Sequence, residues 1–392
     1  MLFGFTEEQL DARNASFTAK EIAQQPDMWL KIVDLVNQQR DELKFFLKRV
    51  TEQEKFDVLM VGAGTSDYVG RSVSTALNSN LPYRIRCCAT TDLVVDPEKY
   101  LTKNVPTLLV SFARSGNSPE SVGAVDVANE VCDEVYHLFI TCNKQGALAQ
   151  FAVGKDNCFS FVLPSETNDR GFAMTSSFSG MYLASLLIFQ LDNLSAISPS
   201  VQELSLSGRR LLEDAWHGLC KIIDEYDFER IVYLGCGVRK SICQEAALKM
   251  LELNAGKVST FYESPLGFRH GPKSIINDKT LTVLFESNDD YAKLYEQDLI
   301  KELDGEKHKN RLLVVYAGEK CTSQFDYSYN LPCLNSMGEE YHALLCVMFA
   351  QIFAFLKSLK NGITPDNPCP TGEVNRVVKG VTIYPYVTKN IK

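Results

Sequence analysis

A chain of 392 residues, 45% hydrophobic and 23% charged, has room for about two domains and is too apolar to be disordered. Its net charge of −9 argues against a general nucleic-acid binder, because neutralising phosphates needs a basic surface. A small phosphate ligand held in a local pocket stays open.

The start, Met1-Leu2-Phe3-Gly4-Phe5-Thr6-Glu7-Glu8, has no basic segment followed by an apolar one, so no signal peptide is expected and a cytoplasmic location is. Residues 1–52 read as a helical segment. In Thr18-Ala19-Lys20-Glu21 the spacing predicts a capping box, and Pro26 stands where a second helix would begin. From residue 56 strand-like and helical patterns alternate. Phe56–Val61 reads as a strand, Ser66–Leu77 as a helix, and Thr107–Phe112 as a strand. Ser118–Val131 follows as a helix and Val135–Thr141 as a strand. This order predicts an α/β domain over 53–198, with a parallel sheet covered by helices on both faces.

The pattern then recurs. Leu59-Met60-Val61-Gly62-Ala63-Gly64 and Val232-Tyr233-Leu234-Gly235-Cys236-Gly237 stand 173 residues apart, as do Val110-Ser111-Phe112 and Val283-Leu284-Phe285. Tyr136–Thr141 has its counterpart in Leu312–Ala317 at a slightly larger offset. A duplicated α/β unit over 199–360 is expected, opened by a long helix over roughly 199–226. The apolar stretch Tyr341–Leu356 is interrupted by His342 and Gln351 and is short for a membrane span, so it is read as a core or subunit-interface helix. Residues 361–392 form a tail that begins irregularly and ends in an extended segment at Val381-Thr382-Ile383-Tyr384. The 12 cysteines lie mostly in apolar stretches, with no CxxC and no Cys/His spacing for zinc, so reduced buried thiols and no metal site are expected.

Ligands of open α/β sheets bind beyond the carboxyl ends of the strands. In the first copy those positions are small and polar: Gly62-Ala63-Gly64-Thr65-Ser66 and Arg114-Ser115-Gly116-Asn117-Ser118. Backbone N–H groups, hydroxyls and helix N-termini there suit a phosphate, and Arg114 could add a charge. Ordinary turns with ordinary N-caps give the same composition. In the second copy Glu286, Asp289 and Asp290 would repel phosphate. A dinucleotide fingerprint fails, because its third glycine position is Asp67.

The second copy offers proton-moving groups instead. Glu245, Lys249 and Glu252 share one helix face, either as a solvated stripe or as a partly buried carboxylate–lysine pair with a usable base. His270, in Gly267-Phe268-Arg269-His270-Gly271-Pro272, sits on a loop and suits general acid/base work. His137, His217, His308 and His342 are read as structural.

Taken in order, Gly64-Thr65-Ser66, Ser115-Gly116-Asn117-Ser118, Glu245-x-Ala247-Leu248-Lys249-x-x-Glu252 and Arg269-His270-Gly271-Pro272 resemble the paired sugar-isomerase (SIS) domains, including the isomerase half of glucosamine-6-phosphate synthase. The resemblance covers about residues 50–385. Thr18-Ala19-Lys20-Glu21-Ile22-x-x-Gln25-Pro26-x-x-Trp29 is similar to the amino sugar phosphate deaminase/isomerases of that family. The fold so implied is two tandem SIS domains, doubly wound and flavodoxin-like, behind an N-terminal helical extension. The resemblance implies hydroxyls of Ser66, Ser115 and Ser118 on a sugar phosphate. Gly64, Thr65 and Asn117 share those loops, and Thr175 and Ser176 align loosely with residues lining the sugar. Glu252 is implied as the base between C2 and C1, with Lys249 beside it. His270 is implied as the ring-opening group, reaching in from a neighbouring subunit of a homodimer or larger oligomer. Lys379 is implied as the lysine of a site-closing tail. The implied activity is deamination of galactosamine 6-phosphate to tagatose 6-phosphate, with no cofactor required. No glutaminase segment with an N-terminal cysteine precedes residue 50, which favours ammonia release over glutamine-driven synthesis. Two other readings stay open: an aldose–ketose isomerase without deamination, and a non-catalytic sugar-phosphate regulator.

Overall fold

The structure is a computed structural model that describes all residues except 306–309, 319–324, 333–336, 379 and 388–392. Among the described residues, ten strands form two all-parallel sheets. The first sheet holds β1 Asp57–Gly62, β2 Ile85–Ala89, β3 Thr107–Ala113, β4 Val135–Thr141 and β5 Cys158–Val162, in the order β2-β1-β3-β4-β5. The second holds β6 Arg230–Gly235, β7 Ser259–Glu263, β8 Thr280–Phe285, β9 Arg311–Ala317 and β10 Tyr327–Leu331, in the order β10-β9-β8-β6-β7. Read from its other edge, the second order repeats the first. The registers match as well: Val61 lies opposite Ser111 and Leu234 opposite Leu284, each 173 residues further on (61 + 173 = 234; 111 + 173 = 284). The expected duplication and doubly wound α/β class are what the chain adopts.

Two compact units interleave along the chain. One comprises residues 28–168, 176–198 and those from 374 on, and carries the first sheet. The other comprises 1–27, 169–175 and 199–373, and carries the second. In the first unit every residue of β3 and β4 is buried, as a sheet covered on both faces requires. Leu59, Val61, Leu109, Ala124, Val127 and Val131 pack there into one apolar cluster. In the second unit Val232, Leu234, Leu284, Leu299, Leu312 and Val314 do the same.

Glycine sets the first strand-to-helix turn in both units. A Cβ at Gly62 would stand 2.4 Å from the Ser66 carbonyl carbon, and one at Gly235 would stand 2.9 Å from Arg239 Cβ. The glycine two residues later has φ 55° in one unit and 54° in the other. We expect Gly62→Ala to destabilise the protein by about 1–3 kcal/mol, since the clash is with backbone that must shift; thermal melting followed by circular dichroism checks this.

The helix Glu339–Lys360 contains the apolar stretch marked in the sequence, and its residues from Tyr341 to Leu359 are all buried. Among the described residues it is the one single helix long and apolar enough to cross a membrane, and its apolar window is wholly buried inside the protein. Its polar interruptions are satisfied: Gln351 Nε2 donates to the Thr175 carbonyl at 3.3 Å, and its Oε1 accepts from Gln25 Nε2 at 2.8 Å. The ten described cysteines are free thiols.

The predicted capping box at Thr18 is corrected. Thr18 and Glu21 lie inside the helix Ser16–Ala23, whose N-cap residue, Ala15, supplies no side-chain bond. The cap comes from far along the chain. Asp366 accepts from Phe17 N (3.0 Å), Thr18 N (2.7 Å) and Thr18 Oγ1 (2.7 Å). A carboxylate from another segment thus satisfies free N–H groups in the first turn of this helix. A capping box does occur earlier, at Thr6 and Gln9.

Candidate active site

In the first unit, β1 and β3 are hydrogen-bonded neighbours, so the loops that follow them lie side by side. Gly64 precedes the helix Thr65–Leu77, and Thr65 and Ser66 form its first turn, both buried. After β3 the chain turns through Gly116 at φ 68° to Ser118, the N-cap of the helix Pro119–Val131. Ser118 Oγ accepts from Ser121 N at 3.3 Å and lies 2.6 Å from Ser121 Oγ. Asn117 Oδ1 accepts from Ala147 N at 2.9 Å, and the Ser115 carbonyl accepts from Asn143 Nδ2 at 2.9 Å. The loop after β4 therefore pins this turn. Ser115 and Ser118 remain half-buried rather than sealed. Two helix N-termini and several hydroxyls so grouped favour an oxyanion.

Arg114 does something the sequence did not suggest. Its buried guanidinium donates to the Arg376 carbonyl at 2.7 Å, and Arg376 in turn donates to Asn168 Oδ1 at 3.3 Å. Arg114 thus anchors the start of the tail. Further on, the tail packs on the same helix: a Cβ at Gly123 would stand 2.8 Å from Ile383 Cγ2. Residues 381–387 carry no strand pairing, so the extended segment foreseen there is an unpaired strap.

In the second unit, the helix Val238–Leu253 carries Lys249 with no exposed surface. Its Nζ lies 2.5 Å from Glu252 Oε2 and 3.3 Å from Glu245 Oε1, and Glu245 is equally buried. The charged face is an ion triad with two of its three members buried, rather than a solvated stripe. Burial opposes the charge on Lys249, but the two carboxylates outweigh it and hold its pKa above the ordinary lysine range. Glu252 differs from Glu245: 26% of its side chain is exposed, so it can meet a ligand. His270 follows the short helix Pro265–Phe268 and is exposed, with no described side-chain partner. Its loop is held by Glu302, which pairs with Arg269 (2.7 Å) and with Lys273. No described hydrogen bond or ion pair joins His270 to Lys249 or Glu252. Lys379 lies outside the described residues.

Thr175 and Ser176 are fully buried. Thr175 donates from N (2.8 Å) and Oγ1 (3.3 Å) to Asp169 and so closes its own turn. The residue that sequence reasoning missed is Glu21. Its carboxylate accepts from Arg170 N (2.5 Å) and Gly171 N (3.2 Å), and a Cβ on Gly171 would stand 2.8 Å from Thr18 Oγ1 and 2.9 Å from Glu21 Oε2. The Thr18–Glu21 motif therefore seats the 169–175 turn. Its signal was present in the sequence but was read as a cap. We expect Glu21→Ala to destabilise by about 1–3 kcal/mol, because buried N–H groups lose their acceptor, with Glu21→Gln milder; chemical denaturation of the two variants checks it.

Burial, with the nearby Asp169 charge, pushes the Glu21 carboxyl up to about 7. Burial alone dominates at Glu296, also pushed up to about 7. A carboxyl with a raised folded pKa binds more protons folded than unfolded. Both groups therefore remove stability as pH rises from about 4.5 through 7. The melting temperature is expected to fall between pH 6 and pH 8, and the fall should be smaller in Glu296→Gln.

The sequence profile of the SIS domain matches residues 226–314, within the second unit. Over 389 residues the chain is 42% identical to the D-galactosamine-6-phosphate deaminase AgaS of Shewanella sp. (strain ANA-3), covering 97% of this chain and 95% of that one. The chain belongs to the SIS-domain family. This SIS protein is also similar to a solved structure from Clostridium novyi NT, a candidate tagatose-6-phosphate ketose/aldose isomerase, at TM-score 0.95 and 45% identity over 98% of this chain and 99% of that one. The tagatose-6-phosphate ketose/aldose isomerase of Escherichia coli matches at TM-score 0.86 and 37% identity, over 95% and 97% of the two chains. The repeated strand order gives the first sheet the same architecture as the matched stretch.

Proposed function

We propose that this SIS protein converts galactosamine 6-phosphate to tagatose 6-phosphate and ammonia. The observation that carries the reading is Glu252, a partly exposed carboxylate held by a buried lysine, in a chain 42% identical over nearly its whole length to a galactosamine-6-phosphate deaminase. Ser66, Ser115 and Ser118, with the backbone of Gly64, Thr65 and Asn117, hold the phosphate. Thr175 and Ser176 shape the turn beside the sugar. His270 moves a proton between O5 and O1 to open the ring. Glu252 takes the C2 proton from the open chain, giving an enediol-like amine, and returns it at C1. The product carries C=NH at C2. Water adds to that carbon, the C–N bond breaks, and ammonia leaves with C2 as a carbonyl. Lys249 orients Glu252 through their ion pair, and Lys379 is the lysine of a site-closing tail. The exposed His270 serves a neighbouring copy, so the working form is a homodimer or larger assembly.

A second reading has support in the names of the solved relatives: aldose–ketose exchange without loss of nitrogen. Ammonia release decides between them, with galactosamine 6-phosphate and glucosamine 6-phosphate assayed side by side. Release from the galacto sugar supports deamination. Release from neither, with exchange between neutral hexose phosphates, overturns it.

A further inference from the structure

The 173-residue repeat gives the second unit a counterpart for each phosphate loop of the first. Arg239 stands where the first unit has Ser66 (66 + 173 = 239), and Ser287 and Asn288 stand where it has Arg114 and Ser115 (114 + 173 = 287; 115 + 173 = 288). Asp289 caps the helix Asp290–Asp304 as Ser118 caps its own helix. Between these two loops sits a carboxylate. Glu339, the first residue of the helix Glu339–Lys360, accepts from Ser287 Oγ (2.5 Å) and Asn288 N (2.8 Å) and pairs with the Arg239 guanidinium. Arg239 is 1% exposed, and its Nε has no hydrogen-bond partner among the described residues.

A hydroxyl, a backbone N–H and a guanidinium make a donor set for an oxyanion. We propose that the second unit keeps the oxyanion cradle of its duplicate, filled by Glu339 as a tethered anion, so that a free oxyanion enters only when Glu339 is removed. The ligand class is a small oxyanion such as formate, acetate or inorganic phosphate. The reason is electrostatic. A buried guanidinium needs a counter-charge, and a carboxylate supplied by the protein's own core helix is present at all times. The groups facing this cradle are otherwise acidic or neutral. Glu296 accepts from Ser287 N (2.9 Å), Asn288 Nδ2 meets His342 Nδ1 (2.8 Å), and Glu286, Cys236 and Cys346 lie nearby. Burial opposes the charge on Glu339, but Arg239 and the loop donors outweigh it and hold its carboxyl below the ordinary range.

The inference rests on the duplication and not on the proposed reaction, so its test reads stability rather than turnover. Thermal melting of the full chain is measured for wild type, Glu339→Ala and Glu339→Gln, each with and without millimolar formate. Glu339→Ala should melt lower and regain at least half of that loss with formate. Wild type should not move, and Glu339→Gln, whose amide still fills the space, should gain little. Equal formate response in all three proteins overturns the proposal. If Glu339→Ala does not fold in plain buffer, its refolding yield is compared with and without formate, and a yield that formate leaves unchanged overturns it equally.

Discussion

Glu252→Gln is expected to lower ammonia release from galactosamine 6-phosphate by about 10²–10⁴-fold, the usual contribution of a positioned general base. The amide has nearly the same shape but cannot take the C2 proton. The loss should fall on kcat, with substrate binding largely kept, because the proposed reading assigns the phosphate to the hydroxyl loops and not to Glu252. Two readouts separate chemistry from folding. The melting temperature should shift little, since Glu252 is partly exposed and Lys249 keeps the buried Glu245 as a partner at 3.3 Å. Exchange of the C2 hydrogen with solvent deuterium, followed by NMR, should stop in the variant. Continued exchange at the wild-type rate would remove Glu252 from the role of base.

Lys249→Met carries the second large effect, and it falls on stability as well as activity. Lys249 and Glu245 are both fully buried, and the substitution leaves a buried carboxylate without this cation. Breaking a buried pair in that way costs about 3–5 kcal/mol. The double variant Lys249→Met/Glu245→Leu should recover much of the loss, because apolar groups of similar volume often replace a buried ion pair without penalty. Activity should not recover with it, since Glu252 has still lost the ammonium that orients it. Denaturant melts and ammonia assays on the same preparations compare the two. Recovery of both together would mean that Lys249 acts only through the fold.

The sequence by itself determined the interior of both sheets. The six strands read from it, β1, β3, β4, β6, β8 and β9, are the central ones. They are buried on both faces, so nearly every position must be apolar and the run is continuous. The four it did not reveal, β2, β5, β7 and β10, are the edges of the two sheets. Each has five residues and mixed exposure, so polar side chains such as Arg86, Ser160 and Ser328 break the pattern. The 173-residue offset was legible for the same reason, since it joins core strands and the glycines of their turns. The elements that carry the candidate residues could be read as well: hydroxyls on the loops after β1 and β3, and a carboxylate three residues from a lysine on one helix face.

Only the tertiary structure decided what those groups touch. Asp366 caps a helix that begins at Ser16, Glu21 seats a turn at 170–171, and Arg114 holds the carbonyl of residue 376. Each of these bonds joins positions more than 140 residues apart, and no local pattern encodes such a partner. Burial likewise turned the Glu245–Lys249–Glu252 face from one of two open readings into a single one. A charge in water needs no partner, whereas a charge removed from water needs a neighbour to hold it, and the fold alone supplies that neighbour.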